Sequence, residues 1–114
     1  MSGITTHVLD VSKGRPAAGV TVLLEVLRAD RGWVKLEERT TDADGRVRDF
    51  VAPGSALDAG RYRLTFDTGT YFASQKVATF YPMVPVVFEI TDAKQGYHVP
   101  LLLSPFGYST YRGS

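Results

Sequence analysis

The sequence predicts an all-β protein, an antiparallel β-sandwich, on the basis of two observations. Hydrophobic and polar residues alternate over several segments of six to nine residues, which is typical of strands with one face on a core and the other toward polar surroundings. Residues that favour turns separate these segments, and such regular spacing of turns indicates a sandwich. The turn residues are Lys13-Gly14-Arg15-Pro16, Asp44-Gly45, Pro53-Gly54, Ala59-Gly60 and Gln95-Gly96.

Three segments show the alternation most clearly, and each is predicted to be a strand. They are Val20–Arg28, Arg61–Phe66 and Val86–Thr91. The first carries its apolar side chains on one face, at Val20, Val22, Leu24 and Val26. We expect that face to be buried, because side chains in a strand alternate between its two faces.

One segment interrupts the strand pattern. Residues Thr70–Phe80 do not alternate, and they predict a short helix around Phe72–Val77. This helix must end before Pro82, because proline removes a backbone donor and favours extended geometry in the residue before it.

The Asp44-Gly45 pair is interpreted as a hairpin turn. It separates Trp33–Thr40 from Arg46–Phe50, and Asp-Gly between two strands is a strong hairpin signal. In this interpretation Arg46 begins the returning strand.

Length, charge and cysteine content limit the classes of function. The chain has 114 residues, a formal net charge of +1 and no cysteine. This length predicts a single domain over residues 1–114, and the small charge gives no electrostatic case for nucleic acid or a membrane surface as a partner. The absence of cysteine excludes disulfides and thiol catalysis. We expect a cytoplasmic protein that needs no cofactor.

The two histidines and Arg46 are candidate functional residues, but each also has a simpler interpretation. His7 shares a strand face with Leu9 in the predicted first strand, and His98 lies in an apolar segment near the other end. Histidines in such strands are more often structural or surface residues. Two histidines on separate strands, with no nearby cysteine, do not form a metal signature, so no metal is expected.

Four segments taken together resemble the 5-hydroxyisourate hydrolases, the transthyretin-related enzyme family of purine catabolism. They are Thr6–Asp10, Thr40–Arg46, Arg61–Phe72 and Tyr97–Ser114. The resemblance covers essentially the whole chain in order. The final Tyr-Arg-Gly-Ser is its most specific part.

This resemblance implies a transthyretin-like sandwich of two four-stranded sheets with one short helix. It also implies a homotetramer, a dimer of dimers, with an active site at a central channel. The family's catalytic residues fall here on His7, Arg46 and His98. Its substrate-binding residues fall on Tyr111, Arg112, Gly113 and Ser114.

The implied reaction is hydrolysis of 5-hydroxyisourate by water attack on a ring carbonyl. His7 and His98 are expected to share water activation and proton transfer, and Arg46 and Arg112 to hold the ring and its oxygens. Ser114 is expected to carry a terminal carboxylate that orients a histidine or a water. One position departs from the family pattern: many members have a further histidine where this chain has Gly96.

Two other classes of protein remain as alternatives. One is a transthyretin-like carrier that binds a hydrophobic small molecule in the same channel. Such carriers lack the Tyr-Arg-Gly-Ser ending and replace the catalytic histidines. The other is a β-sandwich interaction module without a ligand, which would leave the joint presence of His7, Arg46 and His98 unexplained.

Overall fold

Nine strands and one short helix make up the part of the chain that the computed structural model describes, residues 3–51 and 57–114. The strands are β1 (Gly3–Asp10), β2 (Arg15–Pro16), β3 (Thr21–Arg28), β4 (Gly32–Thr40), β5 (Arg46–Val47), β6 (Gly60–Phe66), β7 (Val84–Ile90), β8 (Gly96–Ser104) and β9 (Gly107–Thr110), and the helix α1 is Thr68–Ala73. The turn predicted at Pro53-Gly54 lies outside the described residues.

The strands form two sheets with four strand positions each. In the first sheet the order is β4-β3-β6-β7, and all neighbours are antiparallel. In the second the order is β2-β1-β8-β9, and β5 also pairs with β1. Because β2 pairs with Leu9 and Asp10 while β5 pairs with Thr6 and His7, the two short strands fill one position beside β1. The predicted transthyretin-like sandwich is confirmed.

One pair of neighbours departs from the antiparallel pattern. β1 and β8 are parallel over the whole of Gly3–Asp10. All of the first sheet lies between them in the sequence, which supplies the long connection that parallel neighbours require. This pair brings the two histidines of the chain onto adjacent strands.

The core lies between the sheets, and the predicted apolar face of β3 forms part of it. Val22, Leu24 and Val26 are buried, as is Val20, which lies one residue before the strand. Burying each such side chain stabilises the fold by about 1.5–3 kcal/mol. The other sheet contributes Ile4, Val8, Tyr97, Val99, Leu101 and Leu103 to the same core.

The helix begins four residues earlier than predicted. Asp67 is its N-cap, and the side chain of Asp67 accepts a hydrogen bond from the backbone N–H of Thr70. An aspartate at this position satisfies a free donor of the first turn, and it fixes the start at Thr68. The chain leaves the helical conformation by Lys76, whose φ of 59° is left-handed.

The hairpin interpretation of Asp44-Gly45 is wrong. β4 pairs with β3 in the first sheet, whereas β5 pairs with β1 in the second, so the turn carries the chain between sheets. The carbonyl of Gly45 accepts a hydrogen bond of 2.7 Å from the N–H of Val8. A Cβ at Gly45 would lie 2.4 Å from the Val8 oxygen. Only glycine therefore allows this turn to approach β1.

A buried carboxylate joins the helix to the end of β1. Asp10 accepts hydrogen bonds from the hydroxyls of Tyr71 (2.7 Å) and Ser12 (2.5 Å). Burial by itself would raise the pKa of Asp10, but these hydrogen bonds, together with a backbone hydrogen bond and the charge of Lys13, outweigh it, and the pKa lies below its ordinary 3.8. Asp10 therefore stabilises the fold above that ordinary pKa, and this stabilisation is lost as the pH falls through the lower, folded pKa.

Replacing Tyr71 by phenylalanine is expected to lower the free energy of unfolding by about 1.5–3 kcal/mol at pH 7, since Asp10 loses a donor to its charged form. The difference from the wild type should shrink in acid, where Asp10 is protonated. Urea unfolding at several pH values measures both effects. Tyr81→Phe is the control, because the Tyr81 ring packs on Phe80 and Tyr108. Equal losses in the two variants would contradict the assignment.

Candidate active site

The two histidines lie on the outer face of the second sheet, on neighbouring strands. His7 lies in β1 between Thr6 and Val8, which are buried, so its side chain points away from the core. In β8, His98 pairs in register with Thr5. Paired residues share a face, and Thr5 and His7 share a face because they are two residues apart. Both imidazoles therefore lie on one side of the sheet.

Arg46 joins this face from the opposite edge of β1. It pairs with His7 through the register of β5, and its backbone N–H donates to the side chain of Asp42 at 3.0 Å. The turn that ends at Gly45 thus places Arg46 next to His7. Three segments far apart in sequence meet here.

The imidazole of His98 is held by a hydrogen bond and is shifted toward its neutral form. Its Nδ1 lies 2.8 Å from the hydroxyl oxygen of Thr5. The pKa of His98 lies below its ordinary 6.5, chiefly because of burial and then because of unfavourable charge interactions with the Arg46 guanidinium and the His7 imidazole. A hydrogen bond with the backbone of Thr5 acts in the opposite direction and raises the pKa. His98 is therefore neutral at pH 7, as a general base must be.

The titration of His98 should report the charge of Arg46. We expect an NMR pH titration of the imidazole protons to give a midpoint below 6.5. Arg46→Gln should move the midpoint upward, because removing a nearby positive charge favours the protonated ring. The control is Arg48→Gln, since Arg48 is paired with Asp44 (3.4 Å). A midpoint unchanged in Arg46→Gln, or moved equally in both variants, would contradict this account.

The segment after β9 crosses the strand that carries His98. The N–H of Gly113 donates to the carbonyl of His98 at 2.8 Å. A Cβ at Gly113 would lie 2.4 Å from Cδ2 of His98 and 3.2 Å from the ring of Pro100. The backbone at Gly113 is therefore packed directly on the imidazole, and a side chain has no room there.

A groove runs over this face of the sheet. One part has a volume of about 460 Å³ and the adjoining part a volume of about 330 Å³, which suits a small molecule. The residues that line both parts are Thr5, Asp49, His98 and Ser114. Arg46 lines the larger part, and Gly113 lines the smaller one. The groove thus holds basic and acidic side chains together, with Arg46 and Arg48 in the same part as Asp49.

Tyr111 and Arg112 lie at a different cavity. It has a volume of about 250 Å³ and includes residues of β7 and the buried face of β8. The guanidinium carbon of Arg112 lies 4.4 Å from the ring centre of Tyr97. Since Tyr97 and His98 are adjacent in a strand, their side chains leave it on opposite faces. The Arg112 guanidinium is therefore across the strand from the imidazole.

The structure thus brings together most, though not all, of the residues named from the sequence. Arg46, His98, Gly113 and Ser114 line the groove, and His7 lies beside Arg46 on the same face. Tyr111 and Arg112 do not line it.

Sequence reasoning missed several residues of the groove, among them Thr5, Arg48 and Asp49. Thr5 lies two residues before His7 in β1 and therefore on the same strand face, which was the only indication in the sequence. Its contact with His98 joins residues that are 93 positions apart. Within residues 3–51 and 57–114, no group of three or more His, Cys, Asp or Glu side chains is placed to hold a metal ion. No helix in those ranges is both long and apolar enough to cross a membrane.

Similarity to known proteins agrees with this geometry. The family model described as "HIUase/Transthyretin family" matches residues 4–113. A 5-hydroxyisourate hydrolase of Salmonella typhimurium is 50% identical over 111 residues, which are 97% of this chain and 80% of that protein. The structure of Klebsiella pneumoniae 5-hydroxyisourate hydrolase is similar at 40% identity with a TM-score of 0.86, covering 99% of this chain and 100% of that one.

The same fold occurs in a transthyretin with thyroxine bound. Sea bream transthyretin in complex with thyroxine has a TM-score of 0.89 at 33% identity, covering 96% of this chain and 93% of that one. Fold and groove together define a transthyretin-like β-sandwich with histidine and arginine on the outer face of one sheet. The chain belongs to the HIUase/transthyretin family. The resemblance to 5-hydroxyisourate hydrolases, and with it the expectation of an enzyme, is confirmed.

Proposed function

We propose that this protein hydrolyses 5-hydroxyisourate in urate catabolism, giving 2-oxo-4-hydroxy-4-carboxy-5-ureidoimidazoline. The observation that carries the proposal is the meeting of His98, Arg46 and Ser114 in one groove of a chain that belongs to this family. The reaction needs a base for water, donors for a developing oxyanion and a proton for the leaving nitrogen. The groove offers groups of each kind.

In this proposal His98 and His7 share water activation and proton transfer. The Nδ1 of His98 is engaged by Thr5, so its Nε2 exchanges the proton with water. When the Thr5 hydroxyl accepts from Nδ1–H, Nε2 carries the free lone pair. The lowered pKa of His98 keeps that lone pair available at neutral pH.

Arg46 binds the substrate oxygens and stabilises the charge that develops on the attacked carbonyl. A guanidinium offers planar paired donors and stays protonated throughout the pH range of the reaction. In this proposal His7, which pairs with Arg46 in register, passes a proton to the leaving nitrogen. Gly113 and Ser114 form the wall of the site next to the imidazole.

We further propose the homotetramer that the family resemblance implies. Several large apolar side chains are exposed on the single chain, among them Phe106 (71%), Phe80 (70%) and Val11 (57%). Exposed apolar surface of this kind is usual at subunit interfaces. Light scattering should give a mass four times the 12.5 kDa of the chain. A cytoplasmic location stays a prediction of the sequence.

The decay of 5-hydroxyisourate tests the activity directly. The compound is generated in place from urate by urate oxidase, and its absorbance is followed with and without this protein. Acceleration over spontaneous decay supports the proposal. No acceleration by a folded protein would overturn it.

The carrier is the second candidate, because sea bream transthyretin shares the fold in complex with thyroxine. A carrier binds its ligand without turnover. Tight binding of thyroxine, with no effect on the decay of 5-hydroxyisourate, would favour it.

A further inference from the structure

Gln95 lies in the turn before β8 and holds the side chain of Arg112. Its Oε1 accepts a hydrogen bond of 2.9 Å from Nη2 of Arg112. The carbonyl of Gly96 accepts from the same nitrogen at 3.3 Å. The guanidinium also lies over the ring of Tyr97, 4.4 Å from its centre. One cation is thus held by two acceptors and an aromatic face.

The ring under Arg112 is itself fixed. Tyr97 is buried, and its hydroxyl accepts hydrogen bonds from the backbone N–H groups of Thr91 (3.2 Å) and Asp92 (3.1 Å). The same hydroxyl lies 3.2 Å from the carbonyl of Asp92, to which it donates. The ring of Tyr97 is therefore a rigid surface on which the Arg112 guanidinium packs.

Fixing Arg112 also fixes the next residue. Gly113 follows Arg112 directly, donates its N–H to the carbonyl of His98 at 2.8 Å, and packs on the imidazole. The side chain of Arg112 is held on one side of β8 while Gly113 and Ser114 contact the groove on the other. The segment is thereby anchored across the strand that carries His98.

We infer that Gln95 is a positioning residue of the proposed active site: it holds Arg112 on Tyr97 and thereby keeps Gly113 and Ser114 against His98. The inference rests on the proposed function and deepens it. In this inference Arg112 anchors the segment that contains Gly113 and Ser114, although its own guanidinium does not line the groove.

Two substitutions of Gln95 separate its hydrogen bond from its size. Gln95→Met keeps the length and removes the acceptor, and we expect kcat/KM to fall about two- to tenfold, the range of a single hydrogen bond. Gln95→Glu keeps the acceptor and adds a charge that attracts the guanidinium, so this variant should have the kcat/KM of the wild type. Lys94→Ala, in the same turn, is the control and should behave as the wild type.

Hydrogen exchange at the Gly113 amide gives a readout without turnover. That amide should exchange faster in Gln95→Met and at the wild-type rate in Gln95→Glu, because its bond to the His98 carbonyl depends on the anchored arginine. If the wild type itself fails to accelerate 5-hydroxyisourate decay, the proposed function falls, and the exchange rates still decide whether Gln95 holds the segment.

A double-substitution cycle tests the route of the effect. Gln95→Met should have no further effect on kcat/KM in an Arg112→Ala background, since Gln95 acts through Arg112. The inference is overturned if the effect persists there undiminished. It is also overturned if Gln95→Met leaves both kcat/KM and Gly113 exchange at wild-type values.

Discussion

Replacing His98 by alanine is expected to lower kcat/KM for 5-hydroxyisourate by about a hundredfold to ten-thousandfold, the usual contribution of a positioned general acid or base. The ring lies in the groove beside Arg46, is held by Thr5, and is neutral at pH 7 because of its lowered pKa. His7→Ala is expected to cause a loss of similar size, because the two histidines share proton transfer in the proposed mechanism. Steady-state decay of freshly generated substrate measures both.

His98→Gln separates proton transfer from simple occupancy of the site. The amide fills much of the space of the imidazole and can bond to Thr5, but it cannot take a proton from water. It should therefore be as slow as His98→Ala, with the mass and melting temperature of the wild type. Near wild-type turnover in both His98→Ala and His7→Ala would remove the histidines from catalysis.

The sequence predicted the core well, because the buried residues of a strand recur at every second position. Val22, Leu24 and Val26 are two residues apart and point to one face whatever the neighbouring strand is. The predicted start of the helix was wrong because a single contact decides where the helix begins. That contact is the hydrogen bond from the backbone N–H of Thr70 to the side chain of Asp67. That contact outweighs the weak helical preferences of the residues that follow it.

The Asp44-Gly45 turn shows a different limit of local reasoning. Asp-Gly specifies a reversal of the chain, but it does not specify which strand receives the residues that follow. Here β5 pairs with β1 in the other sheet, and this pairing brings Arg46 opposite His7. A true hairpin would have returned Arg46 to β4 and away from both histidines.

The candidate site could be named from the sequence only through family resemblance. His7, Arg46 and His98 are far apart in the chain, and each has a simpler structural interpretation when taken alone. Thr5 belongs to no motif, and Gln95 is marked in the sequence only as part of a turn. Their importance follows from the parallel register of β1 with β8 and from the path of the segment after β9, and both are long-range features.

Gly113→Ala is expected to lower kcat/KM by about a hundredfold, the cost of displacing a catalytic group by roughly 1 Å. The added Cβ would lie 2.4 Å from Cδ2 of His98, a separation that no packed structure tolerates, and 3.2 Å from the ring of Pro100. Either the imidazole turns away from Thr5 or the segment lifts off β8. Both movements separate His98 from the groups that orient it.

Gly107→Ala is the matched control for this substitution. A Cβ at Gly107 would meet only the hydroxyl of Ser104, at an ordinary 3.7 Å, so its activity should equal that of the wild type. In Gly113→Ala the NMR titration of His98 should also move from its wild-type midpoint, because the contacts that lower its pKa change with the position of the ring. Wild-type kcat/KM in Gly113→Ala, with an unmoved titration, would mean that close packing of this segment on His98 is not required for turnover. The segment would then bind substrate without orienting the base.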